Sequence, residues 1–244
     1  MSAPKDFLSL ADWKAEDLRR ILARAHGLKR GYRRGETPQT LSGRTLAMYF
    51  EKPSLRTHVT FEAGMTQLGG HAILLRPEQV GIGTRESAAD VARNLSRWVH
   101  GIVARTYDHA LVEELAAAAT IPVINGLTDL LHPCQAMADL QTISERADLE
   151  KVAVAYVGDG NNVANSLLLV GAKLGMDVRI GAPQDLWPSD DHVTLCRQFA
   201  TASGARITVT DDPHKAVSGV DFIYTDVWVS MGEPLETWGE RIEM

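Results

Sequence analysis

Cysteine is scarce in this chain, and long apolar runs are missing. Cys134 and Cys196 are the 2 cysteines among 244 residues, and neither lies in a Cys-x-x-Cys pair. This argues against a disulfide framework and a cysteine-based zinc site, and it fits a reducing cytoplasm. Lys173 interrupts the most apolar run, residues 165–176, well short of the roughly 20 residues that span a bilayer. The amino terminus has no continuous apolar core, so we expect neither a membrane helix nor a signal peptide.

An excess of basic residues is also missing. The chain has 25 Lys and Arg residues against 31 Asp and Glu residues, a formal net charge of -6. Nucleic acid is therefore a poor candidate for the main partner, although a local basic pocket could still hold a small anion. The hydrophobic fraction of 45% and the charged fraction of 23% are those of an ordinary globular protein. The length suits one large domain or two smaller ones.

Short apolar runs alternate with segments of helical periodicity. Residues 14–33 carry apolar side chains at helical spacing and predict an amphipathic helix. Two series of strand-like runs follow, the first at 45–50, 71–76, 101–106 and 121–126, the second at 151–157, 177–182, 206–210 and 221–226. This pattern predicts an α/β fold of two doubly wound parallel-sheet domains, residues 1–147 and 148–244, joined by a helix near 133–146. In such sheets ligands bind beyond the carboxyl ends of the strands.

The stretch PSLRT follows the first strand and opens the next predicted helix. Backbone N–H groups at a helix start, together with the helix dipole, favour an anion there. Ser54 and Thr57 add hydroxyl groups, and Arg56 adds a planar, permanently charged group that suits phosphate oxygens. The alternative is structural: Ser54 or Thr57 caps the helix, and Arg56 is a solvated surface charge.

Polar groups follow two other strands of the first series. Arg105 closes the third strand, and His132 and Gln135 flank Pro133 at the start of the joining helix. His132 could donate to a carbonyl oxygen, and Gln135 could accept from an amide NH2 group. A structural histidine beside an apolar helix is the plainer alternative for His132. Three groups of complementary chemistry at one sheet edge favour a binding site.

Five segments resemble the aspartate/ornithine carbamoyltransferase family: FEKPSLRTHVTFE, GIVARTYDH, NGLTDLLHPCQAMADLQT, YVGDGNNVANSLL and TDVWVSMGE. They occur in the order and spacing of the family, and the resemblance covers essentially the whole chain. The SMG sequence after Asp226 is similar to the ornithine enzymes rather than to the aspartate or putrescine enzymes. The resemblance implies an enzyme that transfers the carbamoyl group of carbamoyl phosphate to the δ-amine of L-ornithine, giving L-citrulline and phosphate, with no metal or cofactor.

The resemblance also implies the site residues. Carbamoyl phosphate would be bound by Ser54, Leu55 through its backbone, Arg56, Thr57, Arg105, His132 and Gln135. Arg105 and His132 would have catalytic roles, because they would stabilise charge on the carbamoyl oxygen. Ornithine would be bound by Asn162, Asp226, Ser230 and Met231. A cytoplasmic homotrimer of arginine metabolism is further implied, with no nucleic-acid or membrane partner, because the loop around Gly81 is normally lent to a neighbouring subunit.

The sequence departs from the family pattern in three places. Gly81 stands where the family often has glutamine, with Gln79 two residues away, and His58 stands where arginine usually follows the Ser-x-Arg-Thr turn. Family members also continue beyond the position of Met244, through a His-Cys-Leu-Pro strand and helices that return to the first domain. We therefore expect weakened binding of carbamoyl phosphate and slow citrulline formation. The alternative function is that of a catalytically impaired carbamoyl-phosphate-binding or scaffold protein.

The segment GDGNNVANS supports one more alternative, a nicotinamide-dependent oxidoreductase. Gly158 and Gly160 match the start of a dinucleotide fingerprint, but Val163 occupies the position of its third glycine. The next strand ends in Ala182 and Pro183, without the acidic residue that would bind a ribose. The fit to that class is poor.

Overall fold

The computed structural model describes residues 4–229 and Glu236. The chain divides into two compact units between Cys134 and Gln135. Within the described residues, each unit contains one four-stranded parallel sheet. The predicted α/β fold with two parallel-sheet domains is thus confirmed. The helix α6 (Pro133–Ser144) begins next to the division, where the sequence predicted a joining helix, and Pro133 is its first residue as expected.

The first unit begins with a 3-10 turn at Leu10–Asp12, followed by an amphipathic helix over the predicted segment. Its elements are then α1 (Ala15–Arg33), β1 (Thr45–Phe50), α2 (Arg56–Gln67), β2 (His71–Leu75), α3 (Pro77–Val80), α4 (Ala88–Trp98), β3 (Gly101–Arg105), α5 (His109–Ala118) and β4 (Val123–Leu127). Ser87 and Asp108 cap α4 and α5 by accepting hydrogen bonds from backbone N–H groups, which explains where these helices begin.

Helices cover both faces of the first sheet. On one face, Ala47 of β1 and Ile102 of β3 lie in a buried cluster with residues of α4 and α5. On the other face, Met48 and Val103 lie in a cluster with Met65 of α2. Successive side chains of a strand point to opposite faces, so a strand covered on both faces is apolar throughout. Helices therefore bury both faces of β1 and β3, as in a doubly wound sheet.

The second unit repeats the alternation. After α6 and a 3-10 turn at Leu149–Lys151, its elements are β5 (Ala153–Val157), α7 (Asn162–Leu174), β6 (Asp177–Gly181), α8 (Asp190–Ser203), β7 (Arg206–Thr210), α9 (Pro213–Val217) and β8 (Phe222–Tyr224). Helix α7 is buried almost all round, as expected of a helix covered by other elements on most sides. The His192 ring of α8 is 2.9 Å from the Asn165 carbonyl oxygen of α7, which fixes this pair of helices.

The strand order locates the ligand-binding edge of each sheet. The first sheet has the order β2-β1-β3-β4, and the second has the order β7-β6-β5-β8. Successive connections therefore change direction between β1 and β3 in the first unit and between β5 and β8 in the second. A crevice forms beyond the carboxyl ends of the strands at such a switch point. None of the helices in residues 4–229 is long and apolar enough to cross a membrane.

Candidate active site

The turn between β1 and α2 offers backbone donors at the switch point of the first sheet. Helix α2 begins at Arg56, and Leu55 at its start has no side-chain cap. The Thr57 N–H donates to Ser54 Oγ over 3.1 Å, so Ser54 satisfies one donor of the first turn, as the structural alternative predicted. The N–H groups of Leu55 and Arg56 donate to no residue that the structure describes. Two oriented donors at a helix start are suited to an anion.

Arg105 lies beside this turn because β3 pairs with β1 in register. Phe50 and Arg105 are register partners at the carboxyl ends of their strands. The Arg105 side chain donates to Thr57 Oγ1 over 3.2 Å, and the residue is only 6% exposed. Its Nε is buried and forms no hydrogen bond within the described residues. Burial, and secondly the charge of Arg56, lower the pKa of Arg105, so the two guanidinium groups repel each other.

Neither arginine has a compensating acid in the part of the chain that the structure describes. Arg56 is exposed and Arg105 is buried, yet no carboxylate forms an ion pair with either. Two nearby cations without an acidic partner repel each other, and the buried one loses hydration as well. A doubly charged anion such as a phosphate group would compensate both. If Arg56 were only a solvated surface charge, its exposure would be explained, but the buried charge of Arg105 would not be.

His132 is the third polar group of this edge. It is buried, and burial together with the Arg105 charge lowers its pKa to about 4. The imidazole is thus neutral at pH 7, with one ring nitrogen as donor and the other as acceptor. The preceding loop holds it in place: Leu131 N–H donates to Thr128 Oγ1 over 3.1 Å, and Asn125 Nδ2 donates to the Leu131 carbonyl oxygen over 3.4 Å. A neutral donor suits a carbonyl oxygen.

Gln135 belongs to the second unit. It lies in the first turn of α6, and its Nε2 donates to Asp139 Oδ1 one turn further along, over 2.9 Å. Its Oε1 accepts no hydrogen bond from the described residues. Burial raises the Asp139 pKa, and the Gln135 hydrogen bond and the interaction with Tyr224 partly offset that rise.

The predicted amino-acid site lies at the switch point of the second sheet. Asn162 is the first residue of α7, directly after Asn161, whose side chain caps that helix. Asp226 follows β8, which pairs with β5. Burial raises the pKa of both Tyr156 and Tyr224, and the charge of Asp226 adds to this rise. The two phenol rings pack edge to face, with their centroids 5.5 Å apart. Ser230 and Met231, the other predicted ornithine ligands, lie outside the described residues.

The sequence of this chain matches two family models in succession. The aspartate/ornithine carbamoyltransferase carbamoyl-P binding domain matches residues 5–145, and the Asp/Orn binding domain of the same family matches residues 150–244. The chain belongs to the aspartate/ornithine carbamoyltransferase family. Membership removes the support for a nicotinamide-dependent oxidoreductase.

Individual carbamoyltransferases agree with this assignment. The ornithine carbamoyltransferase of Anoxybacillus flavithermus is 52% identical over 241 residues, which are 98% of this chain and 76% of the relative. The catabolic ornithine carbamoyltransferase of Pseudomonas putida is 50% identical over 242 residues, covering 98% of this chain and 72% of the relative. The solved ornithine carbamoyltransferase of Pyrococcus furiosus superposes with a TM-score of 0.94 at 47% identity, over 98% of this chain and 77% of its own.

Two carboxylates, Asp129 and Asp139, matter for the geometry of this carbamoyltransferase but were not predicted from its sequence. Lys52 is 4% exposed and pairs with Asp129, and its Nζ is 4.5 Å from the Tyr107 ring centroid. Through these two contacts, Lys52 connects the segment that precedes the PSLRT turn to the loops after β3 and β4. Asp139 is the second, and the four-residue spacing from Gln135 within one helix was the available signal. The pair of Lys52 and Asp129 had no such signal in the sequence, because the two residues are 77 positions apart.

The departures from the carbamoyltransferase pattern have local structural roles. Gly81 has a φ of 70° and ends α3 in the left-handed region, which favours glycine. The Gln79 side chain accepts from the Arg76 N–H over 3.3 Å. His58 lies 3.0 Å from Glu62 on the same helix and stacks at a tilt on Phe50.

Proposed function

We propose that this protein transfers the carbamoyl group of carbamoyl phosphate to the δ-amine of L-ornithine, producing L-citrulline and phosphate. The observation that carries the proposal is the pair formed by Arg56 at the start of α2 and Arg105 at the end of β3, with no acidic partner among the described residues. A phosphate dianion is the ligand that matches this charge and the backbone donors beside it. The relatives named ornithine carbamoyltransferase support the same substrate.

The proposed roles in binding carbamoyl phosphate follow the chemistry of each group. The phosphate oxygens accept from the Ser54 and Thr57 hydroxyls, the Leu55 backbone N–H and the Arg56 side chain. Arg105 and the neutral His132 donate to the carbamoyl oxygen, and Gln135 accepts from the carbamoyl NH2 group. Fixed donors that face an oxygen as it gains negative charge stabilise the transition state more than the substrate. Arg105 and His132 are thus the proposed catalytic residues.

The chemical step is an acyl-type substitution at the carbamoyl carbon. The neutral δ-amine forms a bond to this carbon, giving a tetrahedral species whose oxygen carries the negative charge. Collapse of that species breaks the bond to the phosphate oxygen, and phosphate departs with the electron pair. The proton of the amine passes to a phosphate oxygen, so no other base is required. Arg56 and the helix start offset the charge of the departing phosphate.

The second unit would bind ornithine. We assign this role to Asn162, Asp226, Ser230 and Met231, with Asp226 pairing with the α-ammonium group. Held in this way, the δ-amine would be delivered to the carbamoyl carbon at high effective concentration. We assign residues 1–147 to the carbamoyl-phosphate-binding domain and residues 148–244 to the ornithine-binding domain, and the two family matches support this boundary.

We also propose a homotrimer in the cytoplasm that serves arginine metabolism. The family resemblance supports the trimer, and the free thiols of Cys134 and Cys196 agree with a reducing compartment. Light scattering tests the assembly, because a mass near three chains of 26.7 kDa is expected. A single-chain mass at high concentration would contradict it.

The decisive experiment is a citrulline assay on the purified chain with carbamoyl phosphate and ornithine. Arg56→Gln should reduce citrulline formation strongly, and Arg93→Gln serves as a matched control because Arg93 is exposed on α4, where it pairs with Asp90. Activity that survives Arg56→Gln would come from elsewhere and contradict the proposal. Failure of the unsubstituted protein to bind carbamoyl phosphate would contradict it outright.

A further inference from the structure

Asp139 is a half-buried acid whose partners lie on two elements of the second unit. Its Oδ1 accepts from Gln135 Nε2 over 2.9 Å within α6, and Tyr224 of β8 interacts with the same carboxylate. No lysine or arginine forms an ion pair with Asp139 within the described residues. A partly buried carboxylate without a cation is costly to retain, so a functional role would explain its presence.

The bond to Asp139 determines which end of the Gln135 amide is available. An ionised carboxylate only accepts hydrogen bonds, so the NH2 group of Gln135 must face it. The amide is planar, with its oxygen and nitrogen on opposite sides of the terminal carbon, so Oε1 then faces away from Asp139. This oxygen accepts no hydrogen bond from the described residues. Gln135 is therefore held as an acceptor.

We propose that Asp139 is a positioning residue that fixes the Gln135 amide with its oxygen toward the substrate, and so selects a carbamoyl group over an acetyl group. The inference rests on the proposed function, in which Gln135 accepts from the carbamoyl NH2 group. If the Gln135 amide were free to rotate, it would present its NH2 group to the substrate half of the time. The carbamoyl NH2 group would then face another donor and find no acceptor. A methyl group in place of the substrate NH2 would gain nothing from Oε1.

The charge state of Asp139 sets the direction of this selection. Burial and the charge of Asp226 raise the Asp139 pKa, whereas the Gln135 hydrogen bond and the interaction with Tyr224 lower it. A protonated Asp139 could donate to Gln135 Oε1, and the amide would then turn its NH2 group outward. Selection of the carbamoyl group should therefore weaken as the pH falls toward the pKa of Asp139.

The test uses two stable probes that differ only at the group facing Gln135. Phosphonoacetamide carries an NH2 group on its carbonyl carbon, and 2-oxopropylphosphonate carries a methyl group there. Both bear the same phosphonate, so changes at Ser54 to Thr57 or in overall folding affect them alike. Isothermal titration calorimetry of both probes gives the preference as a ratio of Kd values. One well-formed hydrogen bond corresponds to a preference of about 10-fold for phosphonoacetamide.

Two substitutions should change that preference in different ways. Asp139→Leu removes the acceptor that holds the Gln135 amide, so the ratio of Kd values should approach 1. Gln135→Leu should give the same ratio, and combining the two substitutions should not reduce the preference further. Asp139→Asn keeps the shape, lowers the ratio by about 3-fold, and should make it independent of pH. Thr142→Ala is the matched control, because Thr142 is exposed on the same helix and its hydroxyl donates to the Ala138 carbonyl oxygen of that helix.

The outcomes separate the inference from the proposed function. A ratio that stays high in Asp139→Asn and still depends on pH would overturn the inference while the proposed function stands. Unchanged Kd values for 2-oxopropylphosphonate in the Asp139 variants, with a reduced ratio, would support the inference. Failure of the unsubstituted protein to bind either probe would overturn the proposed function, and the inference with it. If Asp139→Leu does not fold, Asp139→Asn and its pH series decide the question.

Discussion

Replacement of Arg105 by methionine should stabilise the protein and weaken its ligand at the same time. The guanidinium group is buried, with a single hydrogen bond to Thr57 over 3.2 Å and no ion pair within the described residues. Methionine keeps most of the apolar stem and removes the charge. Arg105→Met therefore removes both the cost of desolvation and the repulsion from Arg56, the two causes of the lowered Arg105 pKa.

The expected gain can be bounded from these contacts. Relief of a buried, uncompensated charge contributes about 2 to 3 kcal/mol, and the lost hydrogen bond to Thr57 costs about 1 kcal/mol. A net gain of about 1 to 2 kcal/mol raises the melting temperature by roughly 2 to 8 °C in a chain of this size. Differential scanning calorimetry without added ligand measures this shift.

Arg105→Met should also weaken the binding of a phosphate-like ligand. At a phosphonoacetamide concentration of about 100 times its Kd, the unsubstituted protein should gain about 2.7 kcal/mol. Loss of a charged hydrogen-bond donor costs about 1.5 to 3 kcal/mol, so the Kd should rise roughly 10-fold to 150-fold. At the same concentration, the gain in Arg105→Met should then fall to between about 0.3 and 1.4 kcal/mol.

Arg93→Met is the control for both halves, because Arg93 is an exposed arginine paired with Asp90 on α4. It should change neither the melting temperature nor the ligand response appreciably. A lower melting temperature for Arg105→Met, combined with an unchanged response to phosphonoacetamide, would show that Arg105 neither destabilises the free protein nor binds the ligand. Arg105 would then be a structural residue and the uncompensated charge would have another explanation.

Three further predictions concern single residues. Arg56→Ala should weaken phosphonoacetamide with little effect on ornithine, and Asp226→Ala should do the reverse; calorimetric titration that finds equal losses for both ligands would indicate misfolding instead. Burial lowers the pKa of His132 to about 4 in the folded protein, so as pH falls the unfolded chain takes up a proton at this residue before the folded protein does. Stability is therefore lost as pH falls below about 6.5. Over that window, His132 should account for at most about 3 kcal/mol, and urea titrations should show a smaller acid loss for His132→Gln. Lys52→Met should leave Asp129 unpaired at the surface and loosen the PSLRT turn, raising the KM for carbamoyl phosphate by roughly 10-fold with kcat less affected; steady-state kinetics with an unchanged KM would contradict this.

Local sequence patterns were sufficient to predict most of the fold. The apolar runs at 45–50 and 101–106 became β1 and β3, because strands buried on both faces are apolar throughout. The final run was less accurate: residues 221–226 were predicted, but β8 covers Phe222–Tyr224, where three residues pair with β5. Helix α3 was missed, because four residues are too few to show helical periodicity.

The candidate site was predictable where its chemistry is contiguous in the chain. The Ser54 to Thr57 turn and the His132 to Gln135 segment each lie at a helix start, which a strand followed by a polar turn indicates. Contacts made by tertiary folding were not predictable. The contact of Arg105 with Thr57, 48 positions apart, depends on the register of β1 and β3. The ionisation of His132 depends on burial, which no local motif encodes.

The unequal burial of the two arginines divides the kinetics of binding between them. Arg56 is exposed and can attract an anion through solvent, so it should control the rate of encounter, which salt would slow by screening. Arg105 is 6% exposed and can act only once the anion has shed water, so it should control how long the complex lasts. Raising the ionic strength should therefore reduce the association rate constant while the dissociation rate constant stays nearly unchanged.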